Sequence, residues 1–337
     1  MKNPTNPKVS ILCPTYNHES FIAQALESFI MQETNFAFEI IVGEDCSTDK
    51  TKEIVEKYVQ KYPNLIKPIY QSVNQGIYKN NADVFKLARG EYFIFCEGDD
   101  YFSDKNKLQI QADYLDKNPQ NSACFHYAKL IYVDKSTKSH IHPSKSYIRR
   151  YKNKLNYETL KKSNFIHTNS CMYRKYAINF DDFFPKDALP ADWFIHIYYS
   201  RLGKIGFIPK IMSVYRKHSG GIWYFASEEK YRLKYGAELI NLYFQASQKF
   251  SDDKEFWFKE GAKEFNTVAK VCINYREWDK LETIKQQFAE LAMNNPLTDE
   301  DLISKSQKRY KKYKKLFKLT LSLSVVLFVA LLISILR

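Results

Sequence analysis

Four short apolar runs alternate with helical periodicity over the first hundred residues, and that alternation does most to limit what the chain can fold into. Residues 9–13, 38–42, 66–70 and 92–95 read as strands, rich in Val, Ile, Phe and Tyr. Between the first two, Phe21, Ile22, Ala25, Leu26, Phe29 and Ile30 recur at helical spacing, and Ile54, Val55, Tyr58 and Val59 do so after the second. Ser47, Thr48 and Asp49 are candidate caps for that second helix. A third helix is expected over about 77–88, ended by Arg89-Gly90. Strand–helix alternation with short connections predicts a mostly parallel sheet covered by helices. Pro68 marks the third strand as an edge or a strand start.

Parallel strands place their carboxyl ends at one edge, where open α/β sheets bind ligands. Three of these strands run there into polar or acidic clusters: Pro14-Thr15-Tyr16-Asn17, Glu44-Asp45, and Glu97-Gly98-Asp99-Asp100. Carboxylates crowded as closely as Glu97, Asp99 and Asp100 repel unless positive charge sits among them. Oxygen ligands of this type suit Mg²⁺ or Mn²⁺, ions that arrive with substrate phosphates. An isolated acidic turn is as often a solvated surface loop, but three converging clusters are not isolated. No Gly-x-Gly-x-x-Gly follows the first strand and no Gly-x-x-x-x-Gly-Lys-Ser/Thr occurs, so a dinucleotide dehydrogenase and a P-loop ATPase are both poor fits.

The charge balance narrows the partners. The chain of 337 residues carries a formal charge of +13, but nine Lys/Arg and no acid follow Ser304, and removing those nine leaves +4 on residues 1–303. The body is nearly balanced, which argues against a nucleic-acid partner. Six cysteines include no Cys-x-x-Cys pair, so a structural zinc site is not expected. The first eight residues are polar and do not read as a signal peptide, and a reducing, cytoplasmic environment is expected for the body.

In order and spacing, Pro14-Thr15-Tyr16-Asn17, the stretch Glu44-Asp45-Cys46-Ser47-Thr48-Asp49-Lys50-Thr51, Asn74-Gln75-Gly76 and Glu97-Gly98-Asp99-Asp100 resemble the successive motifs of the family-2 glycosyltransferases. The resemblance runs from about Val9 to Trp223. It implies a GT-A fold, a Rossmann-like domain with a nucleotide-sugar site at the strand ends, and sugar transfer with inversion using Mn²⁺ or Mg²⁺. Carried over by position, Pro14, Tyr16 and Glu44 would line the nucleoside pocket, and Asp45 would accept a hydrogen bond from the base. A carboxylate there favours uracil, thymine or guanine, hence UDP first, with dTDP or GDP as alternatives. Asp99 would face the ribose or sugar, and Asp100 would be the metal ligand. The chain departs from the family pattern at Glu97, where Asp is usual, and at Cys46, where Gly is commoner.

Inverting displacement also needs a base for the acceptor hydroxyl. Ala191-Asp192-Trp193 opens a predicted helix carrying Phe194, Ile195, Ile197, Tyr198 and Leu202, and by resemblance Asp192 would be that base; a helix-capping role is the simpler alternative. Ser213 to Gly221 includes Tyr215-Arg216-Lys217-His218, which by resemblance closes over the diphosphate, with Arg216 meeting phosphate and His218 as a further metal ligand. His167-Thr168-Asn169-Ser170 matches a family stretch at the acceptor floor. Residues 134–154 are polar with seven Lys/Arg and read as a loop or hairpin, in which His140 and His142 are expected to be solvated.

The expected organisation is α/β: a GT-A domain at 1–225 with helices flanking a mostly parallel sheet, a helical annex at 226–303, a basic juxtamembrane segment at 304–318 and a transmembrane helix at 319–336. The last is uncharged and reaches about 27 Å as a helix; the basic flank orients the enzyme to the cytoplasmic face of the inner or plasma membrane. The expected activity is hexosyl or N-acetylhexosaminyl transfer to a glycan or lipid-linked acceptor, as in surface-polysaccharide synthesis. The competing readings are a non-catalytic nucleotide-sugar-binding scaffold and a sugar-phosphate nucleotidyltransferase; the latter would carry a Gly-rich basic loop where this chain has Pro14-Thr15-Tyr16-Asn17-His18.

Overall fold

The structure, a computed structural model, describes residues 6–133, 137–151, 154–224 and 227–293. The chain divides into two units at Tyr231/Arg232.

The first unit opens as the alternation requires: β1 (Val9–Thr15), α1 (Ile22–Ile30), β2 (Phe38–Glu44), α2 (Thr51–Lys61), β3 (Ile66–Tyr70), α3 (Gly76–Leu87) and β4 (Tyr92–Phe95). Then come β5 (Tyr101–Phe102), α4 (Lys107–Lys117), β6 (Asn121–Tyr132), β7 (His140–His142), α5 (Lys145–Tyr151), α6 (Tyr157–Leu160), β8 (Met172–Arg174), α7 (Phe180–Phe183), α8 (Ala191–Leu202) and β9 (Lys204–Lys217). The nine strands form one sheet in the order β3-β2-β1-β4-β8-β6-β9-β5, with β7 paired to β6. β3, with Pro68, is an edge strand.

The expectation of a mostly parallel sheet holds only for its first half. β1 pairs in parallel with β2 and β4, and β2 with β3. Beyond β4, β8 runs antiparallel to both β4 and β6, and β5 and β7 are antiparallel additions, while β6 and β9 are parallel. The sheet is therefore mixed. β5, β7 and β8 are two or three residues long, too short to carry a period-2 signature.

The core is the periodic face read from the sequence. Ile22, Ala25, Leu26 and Phe29 of α1 close over Val9, Ile11 and Cys13 of β1, all fully buried. Each such apolar side chain contributes about 1.5–3 kcal/mol on leaving water. The expected caps at 47–49 do not cap α2: its N-cap is Lys50, with no side-chain bond. Asp49 instead joins two loops, accepting from the Thr51 and Glu19 N–H groups at 2.9 and 3.0 Å. All six cysteines are free thiols, and only Cys46 is not fully buried.

The second unit is helical, with most of α9 (Glu228–Lys249, kinked at Tyr235), then α10 (Lys254–Tyr275) and α11 (Trp278–Met293). Phe258, Phe265, Val268 and Cys272 pack with Ile240, Leu281, Ile284 and Phe288 into its own core. Among the described residues no helix is long and apolar enough to cross a membrane. The basic segment 304–318 and the apolar run 319–336 lie outside the described residues.

Candidate active site

The ends of β1, β2 and β4 converge. The loop after β1 is knitted to the loop after β2: the Asn17 N–H donates to Ser47 Oγ at 3.0 Å, the Thr48 N–H to Asn17 Oδ1 at 2.8 Å, and the His18 N–H to Thr51 Oγ1 at 2.7 Å. This fixes His18 over the end of β4. Gly98 makes the approach possible, since a Cβ there would stand 2.4 Å from Thr15 Oγ1. Cys46 sits in the left-handed region at φ 59°, a conformation that glycine adopts without cost; that accounts for glycine at this position in the resemblance.

Asp99 lies between two imidazoles. His218 Nε2 is 3.0 Å and His18 Nε2 3.7 Å from Asp99 Oδ2. One donor atom from each of the three side chains lies within 4.8 Å of the others, in a group able to hold a metal ion. The three side chains are recessed, with 15%, 16% and 7% exposure for His18, Asp99 and His218. Burial holds the His18 pKa below its ordinary value despite the Asp99 charge. Burial works to raise the Asp99 pKa, but His18 and His218 outweigh it and hold the carboxyl below its ordinary value. His18 Nδ1 lies 3.1 Å from Thr15 Oγ1; a proton donated there leaves Nε2 as a lone pair, the form a metal needs.

Of the expected metal ligands, His218 belongs to this cluster and Asp100 does not. Asp100 is 1% exposed, with Oδ1 accepting from the Arg216 backbone N–H at 2.9 Å and Oδ2 from Asn169 Nδ2 at 2.8 Å. Asn169 in turn accepts from Ser213 Oγ at 2.8 Å. Asp100 thus ties the acidic loop to β9, and Asp99, expected to face the sugar, occupies the histidine cluster. Arg216 also departs from expectation. Its guanidinium donates to the Asp99 carbonyl and to Gln24 Oε1 and stacks on the Phe21 and Tyr101 rings, 5.2 and 4.3 Å from their centroids. With 5% exposure it braces the acidic loop from behind rather than presenting a free cation to phosphate.

Crowding among the acids is resolved residue by residue. Burial, then the Asp99 charge, pushes the Glu97 carboxyl up to about 8, so it is protonated at neutral pH. Burial pushes Asp192 up to about 6 against bonds from Asn164, the Trp193 N–H and Thr168. Those donors lie at 3.3, 2.8 and 3.2 Å. The N-cap of α8 is Pro190, so Asp192 stands in the first turn rather than at the cap. Its charge adds to the upward push on Glu97, so the two carboxyls lie within electrostatic range of each other. Burial first, then the charges of Asp100, Asp99, Glu97 and Asp192, push the Tyr215 pKa up, and its ring stacks on His167 at 4.7 Å.

In the nucleoside region, Pro14 is buried and Tyr16 is 40% exposed. Glu44 is fully buried: Oε1 accepts from the Ser47 N–H at 2.7 Å, and Oε2 has no partner among the described residues. Such an orphaned acceptor is costly unless a ligand donor meets it. Asp45 accepts from the Gln75 and Gly76 N–H groups at 2.7 and 2.9 Å, so it holds the 74–76 turn at the start of α3. His142 is not solvated as expected, because its ring packs on His167 at 4.5 Å; His140 is exposed. Sequence reasoning missed His18 and Asn164, and placed Thr168 only as part of the 167–170 stretch at the acceptor floor. The only signal for His18 was its place just past the polar end of β1.

The sequence profile of Glycosyl transferase family 2 matches residues 10–180. An uncharacterized protein of Mycobacterium tuberculosis is 39% identical over 222 residues, 66% of this chain and 62% of that protein. The chain thus spans less than two thirds of the length of that relative. Poly(ribitol-phosphate) beta-N-acetylglucosaminyltransferase TarS of Staphylococcus aureus is 38% identical over 112 residues, 33% of this chain and 19% of TarS. Among solved structures, the mannosyltransferase PcManGT of Pyrobaculum calidifontis covers 93% of this chain and 84% of its own, with 17% identity and a TM-score of 0.51, a likeness of fold. The α/β architecture is GT-A-like, with a mixed sheet. A family profile over half of the chain, on a fold that brings its motifs to one edge, leaves one assignment: the chain belongs to glycosyl transferase family 2.

Proposed function

We propose that this chain is an inverting glycosyltransferase that moves a sugar from a nucleoside-diphosphate sugar to a hydroxyl of a glycan or lipid-linked acceptor. The observation that carries this reading is the meeting, at one sheet edge, of the His18–Asp99–His218 cluster with Asp192 at a pKa of about 6. Two imidazole nitrogens and one carboxylate oxygen suit Mn²⁺ better than Mg²⁺, which prefers oxygen shells. When bound, such an ion supplies positive charge to the departing diphosphate.

The protein's own groups do the rest. Glu44 Oε2 offers an unmet acceptor to the nucleoside, beside Pro14 and Tyr16. Asp45 keeps its contacts to the 74–76 turn and sets that wall of the pocket, where an imide N–H of uracil, thymine or guanine fits a carboxylate. Asp192, held by Thr168, Asn164 and the Trp193 N–H, takes the proton of the acceptor hydroxyl. That oxygen bonds to the anomeric carbon as the bond from carbon to the diphosphate oxygen breaks. Base strength near neutral pH is what general-base catalysis requires. Protonated Glu97 adds a donor to the same cleft without further negative charge. Relatives support a nucleotide-sugar donor: TarS is named for transfer of N-acetylglucosamine, and the archaeal structure is a complex with GDP-Man and Mn²⁺. The uncharged run at 319–336 behind eight basic residues supports a C-terminal membrane anchor with the catalytic unit on the cytoplasmic side.

The test is a panel of UDP-, dTDP- and GDP-sugars incubated with the full chain and Mn²⁺, with nucleoside diphosphate release and the anomeric configuration of the product followed by NMR. One donor class should be consumed, with inversion. Retention of configuration, or no consumption of any donor, would overturn the reading.

A further inference from the structure

The hairpin between β6 and α6 carries charge that the catalytic reading does not use. Lys138, Lys145, Arg149, Arg150 and Lys154 are all exposed, and none forms an ion pair among the described residues. No Asp or Glu occurs between Asp134 and Glu158. On α5, Lys145 and Arg149 stand at i and i+4, where like charges cost a helix a few tenths of a kcal/mol. The helix dipole accounts for Arg149 and Arg150 in the last turn, but not for Lys138, Lys145 or Lys154.

This basic face is fixed next to the candidate base. α5 packs through Ile148, 6% exposed, and through Tyr147, whose ring lies 5.4 Å from that of Phe165. Phe165 is flanked by Asn164 and, three residues on, Thr168, the two side chains that hold Asp192. β7 pairs with Ala128–Leu130 of β6. β6 continues beside Tyr215–Lys217 of β9, just before His218. The cations therefore border the acceptor side of the cleft, at the sheet edge that carries the candidate site.

We infer that this face binds an anionic acceptor: a glycan bearing phosphodiester or carboxylate groups along its length, steered so that a hydroxyl reaches Asp192. The inference rests on the glycosyltransferase reading, for which it names the acceptor's chemistry. Spaced cations without counter-charges suit a repeating polyanion. A lipid surface fits less well. No large apolar side chain is exposed between Thr137 and Tyr151, whereas interfacial segments insert apolar groups.

The test compares the full chain with K145E/R149E/R150E and with a control reversal on α2, K57E/K61E. Fluorescence anisotropy with a labelled glycerol-phosphate oligomer should show salt-sensitive binding, at least about tenfold weaker in the triple variant and unchanged in the control. A neutral dextran of equal length should not bind. Equal oligomer binding by the triple variant, or equal binding of dextran, would overturn the inference. So would loss of binding to phosphatidylglycerol vesicles alone, which would mark a membrane contact instead. Binding of UDP with Mn²⁺, measured in parallel, should be the same in all three proteins. If UDP binds none of them while the oligomer result holds, the donor reading fails and the polyanion surface stands.

Discussion

Asp192→Asn is expected to lower kcat by roughly two to four orders of magnitude while leaving UDP affinity within about twofold. Asn keeps the shape: its Oδ1 can still accept from the Trp193 N–H, now at 2.8 Å, and its Nδ2 can donate to the Thr168 hydroxyl, now at 3.2 Å, but it cannot take the acceptor's proton. In the unaltered chain the acidic limb of the pH–rate profile should fall near 6, the Asp192 value, because activity needs the ionised form. The same shift sets the sign of the stability effect. A carboxyl whose folded pKa lies above its unfolded value binds more protons folded than unfolded, so its contribution to stability is lost as pH rises from about 4 through about 6. Asn has no such loss. The variant's Tm at pH 7–8 should therefore equal or exceed that of the parent, separating a catalytic defect from a folding one. Unchanged turnover would remove Asp192 as the base.

Asp99→Asn is expected to weaken the Mn²⁺-dependent part of UDP binding by about 100-fold or more, and to abolish transfer. The anionic member of the cluster is lost, and only the two imidazoles remain. Its stability effect has the opposite sign to that of Asp192. His18 and His218 hold the Asp99 carboxyl below its ordinary value, so its stabilising charge is present above the usual carboxylate range and is lost as pH falls through the depressed value. The variant should be less stable than the parent at neutral pH, with the gap closing on acidification. Calorimetry of UDP binding with and without Mn²⁺, beside thermal melts at two pH values, reads both effects.

The contrast between these two acids shows what a sequence can carry. That strands end in acids at one edge was legible, because hydrophobic runs fix where strands stop and parallel pairing fixes which ends meet. Which of two adjacent carboxylates faces the cleft was not. Both stand in the turn after β4, where no strand period fixes their direction, and Asp100 was claimed by Asn169 and the Arg216 N–H, partners 69 and 116 residues away. Arg216 read as a free cation for the same reason: nothing local reveals that Phe21, Tyr101 and Gln24 enclose it. Lys107 is a further case. It lies in a helix with an ordinary amphipathic pattern, yet it is fully buried, donates to Gln111 and has its pKa pulled to about 7 by burial. Helical spacing gave the inward face of α1 correctly because its buried residues, Ser28 apart, are apolar. The mixed second half of the sheet was hidden because strands of two or three residues have no periodicity to read.

The central claim is that His18, Asp99 and His218 together hold the ion that meets the donor's diphosphate. Pulsed EPR of the full chain with Mn²⁺ and UDP tests it most directly. The expected result is ¹⁴N couplings from two imidazoles and ³¹P coupling from the diphosphate on the same ion, with one nitrogen lost in His18→Ala and one in His218→Ala. Bound Mn²⁺ showing phosphorus coupling but no nitrogen in the unaltered chain would contradict it.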